Sequence, residues 1–99
     1  MPDTVRIAAG RALQALDALQ ALGEDVEDEW TYVTELGAAW RSRLEASAER
    51  RGEEPLSDAA AAAVDRAIAE TELISDPHRA IDWLSTFPQV VLVALGEPP

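Results

Sequence analysis

Residues 75–99 read SDPHRAIDWLSTFPQVVLVALGEPP, and the fold turns on the apolar run from Val90 to Leu95 within them. Val90, Val91 and Val93 favour extended backbone. No other segment of the chain reads as a strand, and a lone strand would leave a row of unpaired backbone groups. Pro88 near the start and Gly96 just past the end instead bracket one short helix. A helix with apolar side chains all round asks for burial all round. In a chain of 99 residues, a second copy of the same chain is one source of that burial.

The preceding residues supply the rest of the helical reading. Asp76 followed by Pro77 is an N-cap with proline in the first turn. From there Ala80, Ile81, Leu84 and Phe87 face inward, with Trp83 at the edge of that face. Pro88 ends this fourth helix at Phe87, because the residue before proline is pushed out of helical geometry. Upstream, the segment EEPLSD at 53–58 offers Ser57 or Asp58 as the N-cap of a third helix. Its inward stripe is Ala60, Val64, Ala67, Thr71 and Ile74. Alanines 59–63 make this helix thin, and the tryptophans of the second helix are its expected complement.

The second helix begins within GEDVEDEW (residues 23–30) and runs to about Arg51. Trp30, Val33, Gly37, Trp40 and Leu44 recur at spacings of three and four. Glycine inside a helix costs about 1 kcal/mol relative to alanine, so Gly37 on this stripe predicts a close approach by another helix. The first helix spans about Thr4 to Leu22, with Asp3 or Thr4 as N-cap. Val5, Ala9, Ala12, Leu16 and Leu19 form one stripe. Leu13, Leu16, Leu19 and Leu22 form a second that sweeps around the cylinder, which predicts two neighbours. Gly23, Gly52 and Gly96 each follow a helical segment, where a left-handed C-terminal cap favours glycine. The sum is a single all-α domain over residues 1–99, a small helical bundle of three longer helices and two short C-terminal ones. Short connections make neighbours antiparallel.

Charge narrows the function. Asp and Glu number 19, Arg numbers 8 and Lys is absent, for a net charge of −11. Such a chain repels phosphates, so direct nucleic-acid binding and anionic membranes are disfavoured. No run reaches the roughly 18 to 20 apolar residues of a membrane span. The N-terminus has no cationic head followed by an apolar run, and cysteine is absent, so the expected location is cytoplasmic.

Glu24, Asp25, Glu27, Asp28 and Glu29 lack the alternating ligand order and central glycine of a calcium loop. Carboxylates at a helix start are favoured by the macrodipole, as are Arg41, Arg43, Arg50 and Arg51 toward its end. A di-iron bundle needs Glu-x-x-His motifs, and residue 75, three before the only histidine, is Ser. For a carboxylate-held magnesium ion, Glu24 and Glu27 give one pair a turn apart, but Glu70 and Glu72 point in different directions. His78 and Asp82 lie one helical turn apart, an ordinary surface pair. Ser75 and Ser85 carry no nucleophile elbow. No cofactor and no metal are expected.

The expectation is therefore a non-catalytic interaction or regulatory protein that self-associates, most simply as a homodimer, through apolar faces of the first and fifth helices. Leu13, Tyr32, Trp83, Val90, Val91 and Val93 are the interface candidates, tryptophan and tyrosine being favoured anchors. The alternative is an acidic inhibitor or nucleic-acid mimic that docks on a basic protein. A carboxylate-metal enzyme ranks third.

Overall fold

The computed structural model describes residues 3–23 and 30–97, with Trp30 described by its backbone alone. Five helices follow in order: α1 (Val5–Gly23), α2 (Trp30–Arg51), α3 (Asp58–Glu72), α4 (Pro77–Leu84) and α5 (Phe87–Ala94). The expected all-α bundle of three longer and two short helices is what forms. The start of the second helix, the acidic cluster at 24–29 and the side chain of Trp30 lie outside the described residues.

The core is built around α1, which touches all four other helices rather than the two neighbours expected. Val5, Ala8, Ala9, Ala12, Leu16 and Leu19 are buried along it. Ala8, Ala9 and Ala12 widen the buried face without adding bulk, so several partners can come close. α2 runs antiparallel to α1. Asp17 pairs with Arg41, a Cβ on Gly37 would lie 2.5 Å from Gln20 Oε1, and one on Gly23 would lie 3.2 Å from Val33. The close approach expected at Gly37 is thus made by α1. Val33 and Leu44 of the predicted stripe are buried, and Trp40 packs against the core from a half-buried position.

The N-terminus of α1 is closed by the loop that follows α2. The first N–H groups of a helix have no partner within it. Here Val5 N–H donates to Glu54 O (2.9 Å) and Arg6 N–H to Gly52 O (3.2 Å). Ile7 N–H donates to the Thr4 hydroxyl at 3.3 Å. Thr4 and Pro55 form an isolated antiparallel bridge. Gly52 must be small for this, because a Cβ there would collide with the Ala48 carbonyl and the Arg6 guanidinium.

Two packing expectations are corrected. α3 lies against α1 and α5 rather than against α2, the helix that carries Trp40. Its thin alanine surface accepts the short apolar α5, and its own tie to tryptophan is to Trp83 of α4. Trp83 Nε1–H donates to Thr71 Oγ1 at 2.7 Å, and that hydroxyl donates onward to Ala67 O at 2.8 Å. The second correction concerns the break before α5. α4 ends at Leu84 rather than Phe87, and Phe87 and Pro88 open α5. Proline lacks the N–H that would bond to Leu84 O in a continuous helix, yet it fits a first helical turn. Ser85 and Thr86 make the turn, with N–H bonds to Asp82 O (3.2 Å) and Trp83 O (3.0 Å).

The caps of the later helices follow the sequence. Ser57 Oγ accepts from Ala60 N–H at 3.1 Å, and an Asp76 carboxylate oxygen accepts from His78 N–H at 2.9 Å. Of the three glycines expected in left-handed caps, only Gly96 has a positive φ, +91°. It completes a two-bond C-terminal cap: Glu97 N–H donates to Leu92 O (2.9 Å) and Gly96 N–H to Val93 O (3.0 Å).

Candidate functional site

α5 carries an apolar residue at nearly every position, and the bundle covers only one side of it. Phe87, Pro88, Val91 and Leu92 are buried against the core. Val90 and Val93 remain 45% and 54% exposed. Within a single copy the burial is one-sided: α3 and α1 cover one face, and the opposite face is open. Residues 90 and 93 are three apart, so both project from that open face. With Gln89, Ala94, Ser85, Thr86 and Ala63 of α3 they line a shallow groove. No charged residue lines it, and the chain carries none from Trp83 to Gly96.

A second cleft adjoins this groove. Trp83, Ile74, Arg79 and Asp82 line it together with Thr86, which the two share. Leu73, 84% exposed at the end of α3, stands beside it. The half-buried Trp83 is tied by its bond to Thr71 and lines this cleft.

The six interface candidates are not brought together. Val90 and Val93 share the groove, and Trp83 lies next to it. Val91 is fully buried and belongs to the core; at one residue from Val90 it turns 100° away. Leu13 is half-buried and packs on the core from α1. Tyr32 is 50% exposed on α2, an element absent from the lining of either cleft. Thr86 and Ala63 were missed. Thr86 has no apolar signature, and Ala63 joins the groove only through the pairing of α3 with α5.

The far end of α5 is held by charge. Arg51 of α2 donates through Nη2 to Leu95 O at 2.6 Å and lies 3.1 Å from Glu97 Oε1. Arg50 Nη2 pairs with the same carboxylate oxygen. Glu97 is only 13% exposed despite being an acid near the chain terminus. The hydrogen bond from Arg50, helped by Ser47 and by the positive charge of both arginines, holds its carboxyl below the ordinary 4.5, against the opposing effect of burial. Arg41 pairs with Asp17 and Glu45, and the Arg43 guanidinium sits 5.0 Å above the Trp40 ring. The basic end of α2 is thus turned toward its own chain.

Other candidate chemistry stays dispersed. His78 and Asp82 are exposed on α4, and Ser85 Oγ–H points to Ile81 O at 3.5 Å. Glu70 and Glu72 are exposed. Among the described residues no three His, Asp or Glu side chains converge as a metal would require. No helix there is long and apolar enough to cross a membrane. Compared with protein-family models, curated proteins and solved structures, the chain matches none.

Proposed function

We propose that the protein is a non-catalytic interaction protein that self-associates through the open face of α5. One observation carries this reading: Val90 and Val93 stay exposed in an uncharged groove on a chain of net charge −11. Two copies of such a chain repel each other over most of their surface. The groove is where they meet without opposing carboxylates, and apolar burial there offsets the long-range repulsion. Trp83 supplies an aromatic anchor at its margin. The groove is small beside the roughly 800 Å² per partner of a standard interface, so the dimer is weak and concentration-dependent.

Light scattering on a sizing column, at low salt and at about 1 M salt, tests this. At about 1 M the screening length shrinks to roughly 3 Å. The repulsion then fades while the apolar contact persists, so the dimer fraction rises with salt. A monomer at both salts and high protein concentration would sink the reading.

The net charge itself favours a second reading, an acidic inhibitor or mimic bound to a basic protein. Such binding is electrostatic and weakens steeply with salt. A pull-down of basic partners whose capture is lost at moderate salt, from a chain monomeric throughout, would favour it over self-association.

A further inference from the structure

α5 is anchored asymmetrically. Its N-cap residue, Thr86, makes no side-chain capping bond. Its C-terminal end is held by the left-handed Gly96 and by one carboxylate, Glu97, gripped by two arginines. Arg51 is itself three-quarters covered and reaches Leu95 O, Ser47 Oγ (3.3 Å), Glu54 (3.4 Å) and Glu97. Its Nε is buried without a partner. A partly buried guanidinium tolerates that position only while an anion faces it.

We propose that the cradle around Glu97 is an acid-released latch, in which protonation of this one carboxylate frees the C-terminal end of α5 and uncovers Leu92 and Leu95. The proton goes to the other carboxylate oxygen, because Oε1 faces the N–H donors of Arg50 and Arg51. Oε1 remains only as a neutral acceptor, so both contacts lose the carboxylate charge that makes such bonds about twice as strong as neutral ones. Arg51 is left with Glu54, more than half exposed, as its remaining carboxylate. The charged groups acting on Glu97 are Arg50 and Arg51 of α2. Glu54 faces Arg51 from the adjoining loop, and the Arg6–Glu53 pair of α1 and that loop lies beyond. Leu92 and Leu95 are 1% and 3% exposed when the latch is closed. The sign follows from the direction of the shift. A carboxyl held below 4.5 when latched stabilises the closed form fully above that value, and the contribution is lost as pH falls through the latched value. The inference does not depend on self-association.

Hydrogen exchange of the Leu95, Gly96 and Glu97 amides, whose bonds close the helix end, tests it in the wild type and in Glu97→Gln at the same pH. The glutamine keeps the shape and an acceptor oxygen but not the charge. Near neutral pH the variant's three amides exchange about tenfold faster, the scale of a lost charged hydrogen bond, while α1 amides are unchanged. As pH falls through the latched carboxyl's lowered value the two proteins converge. Equal exchange at neutral pH, or a difference that persists in acid, overturns the latch. In the wild type alone, acid loosens these amides before those of Leu16 and Leu19. Simultaneous loss would mean global unfolding instead and would equally overturn it.

Discussion

α1 and α5 are both rich in apolar residues, and the bundle treats them differently. α1 buries Val5, Ala8, Ala9, Ala12, Leu16 and Leu19 and touches every other helix. It also keeps Arg6, Arg11 and Asp17 at positions that reach solvent and pair with other elements. α5 has no charged residue at all, yet leaves Val90 and Val93 half in water. In α1 the polar residues mark where burial ends. In α5 the one polar mark is Gln89, exposed one turn before Val93, and the number of neighbours decides the rest. An apolar position states what a residue can tolerate, and only the packing states what it receives.

The sharpest way to break this comparison is to place a charge on each side of α5. Val91→Asp buries an unpaired carboxylate in the core and should cost more than about 4 kcal/mol, enough to unfold a small domain. Val93→Asp adds a charge to the open face and should shift stability by no more than about 0.5 kcal/mol. Urea unfolding followed by helical circular dichroism separates the two. Val93→Asp should also abolish the proposed dimer with the helical signal intact. Equal destabilisation by both would mean that α5 is enclosed on all sides.

Helix number, the caps at Ser57, Asp76 and Gly96, and most core stripes were legible in the sequence because they rest on local chemistry. The Asp76–Pro77 start, the Ser57 cap and the Gly96 end each depend on residues within one turn. Local signals misled at Gly23 and Gly52, which lack positive φ, and at Phe87, which opens α5; elsewhere the missing information was long-range. Whether α3 packs on α2 or α5 is decided by chain path, and an alanine surface accepts either. The closing of α1 by Gly52 and Glu54 carbonyls has no side-chain signature. Val91 and Val93 are alike in type and differ only in which way a helix of unknown neighbours is turned. The Glu97 cradle was invisible for the same reason: an acid between Gly96 and Pro98 looks like solvent-facing charge until Arg50 and Arg51 are brought to it.

A smaller effect probes the tie between α3 and α4. Thr71 is a buried polar residue that accepts from Trp83 and donates to Ala67 O. Thr71→Val keeps the shape and removes the acceptor, leaving Trp83 Nε1–H unpaired in a half-buried site. The expected loss is about 1 kcal/mol, read from the urea midpoint. No loss would mean that Trp83 finds water at no cost, and its ring would then be free to turn in the adjoining cleft.

The smallest effect returns to the two helices through their glycines, and it should differ in sign. Gly10 lies exposed inside α1, and a Cβ there meets nothing within 4 Å. Gly10→Ala removes backbone freedom from the unfolded chain and should stabilise by roughly 0.5 to 1 kcal/mol. Gly96 has φ +91°, and a Cβ there would lie 3.1 Å from Arg51 Nη1. Gly96→Ala forces an L side chain into the left-handed region and should destabilise by about 1 kcal/mol. It also presses on the guanidinium that holds Glu97, so its cost should shrink in acid once the latch has opened. Matching signs at the two positions would mean that the left-handed turn at Gly96 is not held by the cap, and that α5 ends without it.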